Sequence, residues 1–338
     1  MANRNFLVLM ADQHSRNFLS CYNNSIVQTP NLDGLASRGT LFANASTNSP
    51  ICVSARACLA TGRYVHQNKC WDNAIAYDGS IPSWGHYLQD ANIDVNSIGK
   101  LHYRFDNDPT GFDEQFIPMH IANGVGDLMG SIRPDLPERT QSRQYSQLIG
   151  PGETEYTTYD RDISSKACAW LKERSESPRK DEPFVLFVSF IAPHFPLIVP
   201  EEYFNLYKDL SIPAIKKSNP ELDDHPWWKA FNDCYTFDRY FKDDDHRKVA
   251  IISYLGLCTF LDDLIGNVLE SLNNNGFSKN TNIMYLSDHG ENLGARGLWG
   301  KSVMYEESVG IPMLLSGENV MAKGVVKTPV SLIDVFPT

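Results

Sequence analysis

Short apolar runs recur along the chain, each continuous rather than alternating and each bounded by polar or turn residues. They cover Phe6–Met10, Asp94–Ile98, Phe184–Phe190 and Asn282–Leu286, with a further one at Pro312–Leu315. Strict alternation of apolar and polar residues marks a strand with one wet face. A continuous run marks a strand covered on both faces, as in a parallel sheet. Between the runs lie segments with helical apolar spacing at Pro30–Ser37, Ser83–Asp90 and Thr259–Leu272. The first has its own punctuation, with Thr29 as N-cap, Pro30 at the first helical position and Gly39 just beyond the end. Strands alternating with helices predict an α/β fold with a mixed, mainly parallel central sheet and helices on both faces.

Two stretches break this rhythm. Residues from about 105 to 160 and from about 205 to 247 are polar, punctuated by Pro and Gly, and rich in Asp, Asn and Trp. They read as long loops or insertions over one face of a single catalytic domain spanning 1–338. The run Asp243-Asp244-Asp245 reads as a solvated face. Trp227, Trp228 and Tyr103 are candidates for a pocket lining or for core.

Charge and cysteine usage narrow the partners. A net charge of -11 repels phosphate backbones, so no nucleic-acid partner is expected, and an anionic substrate would have to be held by local cations. Seven cysteines without CxxC spacing point to a reducing compartment rather than a disulfide framework or a zinc site. The run Phe6–Met10 is too short for the core of a signal peptide. No stretch reaches the roughly 18 apolar residues of a membrane span, so no membrane partner is expected. The expected location is cytoplasmic, or periplasmic if a signal was removed; an oligomer is compatible with the sequence.

In open α/β sheets, ligands bind outside the carboxyl ends of the strands. The residues after the first four runs are Ala11-Asp12-Gln13-His14, Gly99-Lys100-Leu101-His102, Ala192-Pro193-His194-Phe195-Pro196 and Ser287-Asp288-His289-Gly290-Glu291-Asn292. Asp12 and Asp288 are oxygen ligands suited to Ca²⁺, Mg²⁺ or Mn²⁺, and Gln13, His289 and Asn73 are candidates to complete such a sphere. Lys100, His102, His194 and Lys301 are donors that can clamp an anionic group and move protons. His14 and Glu291 read as supporting or surface residues. Cys52 begins a segment, through Arg63, that looks like a helix start, and helix N-termini favour anions and acidify thiols. The other six cysteines read as structural.

The segment from Cys52 resembles the signature of the sulfatase family, in which Cys or Ser is followed two residues on by Pro or Ala, then by Arg, and shortly by Thr-Gly-Arg. Here these are Cys52, Ser54 in place of Pro or Ala, Arg56 and Thr61-Gly62-Arg63. The family's remaining motifs occur in order at Asp12, Lys100/His102, His194, Asp288/His289 and Lys301. The resemblance implies an alkaline-phosphatase-like fold and hydrolysis of a small-molecule sulfate ester. It further implies one divalent metal ion, with Ca²⁺ ahead of Mg²⁺ or Mn²⁺, and formylglycine made from Cys52 by a formylglycine-generating or anaerobic maturation enzyme. Within the family scheme, one hydroxyl of the formylglycine hydrate attacks sulfur and the other expels sulfate. Arg56 would anchor the nucleophile, and Asp12, Gln13, position 52, Asp288, His289 and Asn73 would surround the metal. Lys100 and His102 would support the diol; His194 and Lys301 would contact the sulfate and protonate the leaving group. Ala11-Asp12-Gln13, Trp71-Asp72-Asn73-Ala74 and Leu298-Trp299-Gly300-Lys301 look like the branch containing choline sulfatases and phosphonate monoester hydrolases. Hydrolysis of a phosphonate monoester or phosphate diester, and an unmodified metal-binding pseudo-sulfatase, are the alternatives. The family's smaller C-terminal domain is expected to be absent or truncated.

Overall fold

A computed structural model describes residues 4–126, 138–212, 215–216 and 226–338, the side chain of Trp227 excepted. Its main sheet has eight strands. In chain order they are β1 (Asn5–Asp12), β2 (Gly39–Phe42), β3 (Asp94–Lys100), β4 (Glu114–Met119), β5 (Phe184–Pro193), β6 (Thr281–Ser287), β7 (Met313–Ser316) and β8 (Gly324–Val326). The spatial order is β8-β2-β7-β6-β1-β5-β3-β4. Only β7 runs antiparallel to its neighbours, so the sheet is mixed and mainly parallel, as the continuous apolar runs predict.

Strand β1 lies at the centre, with Leu7 paired to Leu186 of β5 on one side and to Ile283 of β6 on the other. Its side chains divide between two cores. Leu7, Leu9 and Ala11 join one apolar cluster with helices α1 (Pro30–Ser37), α4 (Glu155–Glu176) and α5 (Asp244–Asn274). Val8 and Met10 join a second cluster with α2 (Cys52–Thr61), which the partly buried Trp84 of α3 (Trp84–Asp90) covers. Burying each such Val or Leu side chain contributes about 1.5–3 kcal/mol, and a strand covered on both sides has no solvent-facing position that favours a polar residue. This is why its sequence does not alternate.

The helix α5 starts well before Thr259, where the apolar spacing places it. Asp243 accepts from the His246 N–H at 2.8 Å as its N-cap, and Asp244 and Asp245 fill the first turn, where the helix dipole favours carboxylates. The acidic run is therefore a helix start rather than only a solvated face. By length and composition α5 would span a membrane, yet it is mostly buried within the protein, packed against α4, α1 and β5. Its Asp262 also caps α1 by accepting from the Asn31 and Leu32 N–H groups at 2.9 and 2.8 Å, a task the Thr29 side chain does not perform.

The stretches read as long loops are partly ordered elements. The first holds β4 and the opening turns of α4, and the second holds a helix at Pro226–Cys234. Strand β4 is an edge strand that carries Pro118 and no fully buried residue, so no apolar run announces it. Tyr103 is core, packed edge-on against Tyr77, and Trp228 packs against the larger cluster. The side chain of Trp227 lies outside the described residues.

Candidate active site

Four strand ends and one helix start meet at the carboxyl edge of the sheet. Strand β1 ends on Asp12 and β3 on Lys100, β5 ends one residue before His194, and β6 one residue before Asp288. Cys52 is the first residue of α2. The backbone turns sharply as it leaves the sheet, with left-handed φ values of 67° at Gln13 and 60° at His102. Non-glycine residues rarely occupy this region, and where they do, binding or catalytic sites are common.

Ligand atoms of Asp12, Cys52, Asp288 and His289 all lie within 4.8 Å of one another, and all four residues are buried. Atoms bound about 2.4 Å from one cation are at most about 4.8 Å apart. The spacing and the hard carboxylate donors therefore fit a single divalent ion such as Ca²⁺. The Cys52 sulfur stands where a modified side chain would present an oxygen. It is 3.1 Å from His289 Nε2, 3.6 Å from Asp12 Oδ1 and 3.0 Å from Lys301 Nζ. Burial and Asp12 push this thiol up, but Lys301 and His289 outweigh them and leave it lowered.

Three cations border the two carboxylates. Arg56 Nε donates to Asp288 Oδ2 at 2.9 Å, and its two terminal nitrogens donate to Asp12 Oδ2 at 3.1 Å, to the Lys100 carbonyl at 2.6 Å and to Ser189 Oγ at 3.0 Å. Sequence reasoning made Arg56 an anchor for the nucleophile; the structure makes it a clamp on both carboxylates. Its position one helical turn after Cys52 puts it on the same face of α2, and its length carries the guanidinium past the thiol to the strand ends. Lys100 Nζ lies 2.6 Å from Asp12 Oδ2. Burial alone would raise the Asp12 carboxyl, but the charges of Lys100, Arg56 and Lys301 hold it well below the usual carboxylate range.

Lys301 Nζ donates to Gln13 Oε1 at 2.7 Å and stands 2.7 Å from His194 Nε2. The Phe195 carbonyl is 2.5 Å from His194 Nδ1, which assigns the ring proton to that nitrogen and leaves Nε2 as an acceptor for Lys301. Burial and the Lys301 charge keep His194 neutral well below the ordinary histidine range. His102 is likewise held neutral, by burial first and Lys100 second, and its buried Nδ1 has no hydrogen-bond partner among the described residues. His194, His102 and Asn73 are only partly buried, unlike the ligand cluster itself.

Asn73 was expected to ligate the metal. Its side-chain oxygen instead faces the Val53 N–H at 3.3 Å, capping the first turn of α2 beside Cys52. Two contributors escaped sequence reasoning, and a third was left between two readings. Ser189 was the lone hydroxyl in the apolar run of β5, a signal available but unused. Asp160 of α4 accepts from the Ile191 and Ala192 N–H groups at 2.7 and 2.8 Å, fixing the strand end that carries His194. Glu291, read as supporting or surface, is fully buried against Gln13. Of the other unassigned residues, His14 is buried between the Tyr285 hydroxyl and the Phe18 carbonyl, and all seven cysteines are free thiols.

A family model described as Sulfatase matches residues 4–338. The chain is 31% identical to the uncharacterized sulfatase YidJ of Escherichia coli (strain K12), across 100% of this chain and 67% of that protein. It is 27% identical to a choline-sulfatase of Rhizobium meliloti (strain 1021), across 99% of this chain and 66% of that protein. The chain thus spans about two thirds of the length of these relatives. Among solved structures, the phosphonate monoester hydrolase of Agrobacterium radiobacter superposes with a TM-score of 0.79 at 21% identity, covering 99% of this chain and 72% of that one. At that identity the likeness speaks to the fold, which is alkaline-phosphatase-like.

Proposed function

The chain belongs to the sulfatase family, and on that premise we propose that it hydrolyses a small-molecule sulfate ester to an alcohol and inorganic sulfate at the cluster around Cys52. The observation that carries this reading is the charge pattern. Two buried carboxylates are bordered by three cations, Arg56, Lys100 and Lys301. With the buried Glu291 carboxylate counted as well, a divalent ion would still leave the pocket with a positive excess of two, in a protein whose overall charge is -11. Such a pocket suits a bound anion and the further negative charge that develops as an ester bond breaks.

The ion held by Asp12, Asp288, His289 and the Gln13 amide oxygen would be Ca²⁺ in preference to Mg²⁺ or Mn²⁺. It would supply charge stabilisation, while formylglycine made from Cys52 by a maturation enzyme would supply the nucleophilic oxygen. The chain's own residues then have distinct tasks. Arg56 holds both aspartates in place by hydrogen bonds, and with Lys100 on the other side it keeps Asp12 ionised. Lys301 holds a proton on Nζ within reach of both position 52 and His194 Nε2. His194, neutral and oriented by the Phe195 carbonyl, can pass that proton to a departing alkoxide. The buried Nδ1 of His102, without a hydrogen-bond partner among the described residues, would be left to pair with a group bound in the cluster.

Peptide mass spectrometry across Cys52, on protein from its native host, tests the nucleophile. The expected result is the mass loss of thiol-to-aldehyde conversion, together with Ca²⁺-dependent turnover of an aryl sulfate that Cys52→Ala abolishes. An intact thiol without turnover would replace this reading with that of a metal-binding pseudo-sulfatase. Faster turnover of a phosphonate monoester than of any sulfate ester would move the substrate class to phosphorus.

A further inference from the structure

The amide of Gln13 has chemically opposite ends, an acceptor oxygen and a donor NH₂ group, and they occupy nearly the same volume. Which end faces the ligand cluster is decided by what surrounds it. Both amide hydrogens have acceptors: Glu291 Oε2 on one side and the Tyr145 hydroxyl, at 3.1 Å, on the other. The amide oxygen is thereby turned to Lys301 Nζ at 2.7 Å. The backbone leaves no slack, because Gln13 N–H donates to Asp288 Oδ1 at 3.0 Å and the Gln13 carbonyl accepts from the Tyr254 hydroxyl at 2.7 Å.

Glu291 is itself immobilised. Its other oxygen accepts from the N–H of Leu293 at 2.7 Å and of Gly300 at 2.6 Å, and Gly300 immediately precedes Lys301. One fully buried carboxylate therefore sets both the Gln13 amide and the backbone that delivers Lys301. We propose that Glu291 is a positioning residue that selects the amide orientation of Gln13, so that oxygen rather than nitrogen is presented to Lys301 and to a metal ion in the cluster.

The near-isosteric Glu291→Gln separates orientation from packing. The new side chain keeps its oxygen on the Leu293 and Gly300 N–H groups, since turning it round would break two hydrogen bonds. Its NH₂ group then points at Gln13. The Gln13 amide must reverse, bringing donor against donor at Lys301 and removing the oxygen from the cluster. Such supporting contacts to a metal ligand are worth about 10- to 100-fold in metal affinity. The metal arm of the test rests on the function proposed above. Calorimetric titration of Ca²⁺ should show that loss of affinity in E291Q, with the urea midpoint nearly unchanged. The double variant Q13E/E291Q, which restores a carboxylate oxygen facing Lys301, should recover most of it. Wild-type affinity in E291Q, or a double variant no better than the single one, overturns the proposal. If the unaltered protein binds no Ca²⁺, the metal reading fails by itself, and a second readout on metal-free protein still decides the orientation. The Gln13 side-chain NH₂ should show nuclear Overhauser contacts to the Tyr145 ring that vanish in E291Q; contacts from that NH₂ to Lys301 in the unaltered protein would refute the assignment.

Discussion

Arg56→Ala offers a direct test of the clamp. Arg56 is 2% exposed and its guanidinium donates to four acceptors, two of them the carboxylates of Asp12 and Asp288, which are fully buried. Truncation leaves Asp12 with Lys100 as its nearest cation, but Asp288 Oδ2 loses its one hydrogen-bond donor among the described residues, while Oδ1 keeps the Gln13 and His289 N–H groups. Breaking a buried ion pair by removing one partner costs about 3–5 kcal/mol, because an uncompensated charge stays behind. The loss should fall in that range in metal-free protein, measured by urea unfolding. It should shrink on adding Ca²⁺, which supplies positive charge between the same carboxylates. Arg56→Lys keeps the charge but cannot reach both carboxylates with a fork of donors, so it should lie between the unaltered protein and Arg56→Ala. The anchoring role inferred from the motif predicts something different, a loss of turnover at unchanged stability. A change below about 1 kcal/mol in the metal-free protein, the size of an exposed ion pair, would refute the clamp.

Three other measurements address separate parts of the structure. Burial pushes the Asp160 carboxyl up to about 7 against the pull of its two backbone N–H donors, so the folded state holds the proton more tightly than the unfolded chain. Its contribution is then fully present below about pH 4 and is lost as pH rises through about 7, by about 4 kcal/mol at most; urea unfolding of Asp160→Asn against pH should lack that decline. Titrating Ca²⁺ should raise the unfolding free energy by about 2.7 kcal/mol at a hundredfold excess over Kd, and Asp12→Asn should abolish the rise in a thermal-shift assay. Asp262→Ala, which uncaps α1, should cost about 0.5–2 kcal/mol in urea unfolding and leave ester turnover unchanged; a turnover defect would show that α1 communicates with the site.

Much of this was legible in the chain. Five apolar runs mark five of the eight sheet strands, and four of them run directly into residues of the site, because a buried parallel strand is mostly apolar and its carboxyl end is where polar chemistry can begin. Strands β2, β4 and β8 were not read, being short or at the edge of the sheet. The place of Cys52 at a helix start was legible too. What failed was direction. Spacing places Arg56 near Cys52 but cannot say that its guanidinium reaches past the thiol to two carboxylates. It places Asn73 near the site but cannot show the carbonyl turned to a helix N–H. Asp160 and Tyr145 come from segments distant in sequence, and only the tertiary structure reveals what they touch.

The central place of β1 has a kinetic side. Of the eight sheet strands it is the first to be synthesised, yet its neighbours β5 and β6 begin only at Phe184 and Thr281. At about 5–20 residues per second of synthesis, an apolar strand with two open edges waits on the order of ten to fifty seconds for its second partner. During that interval the future middle of the sheet is the part of the nascent chain with the most to gain from pairing elsewhere. The arrangement that later shields Asp12 from solvent thus leaves β1 without its second partner through most of the synthesis of this sheet.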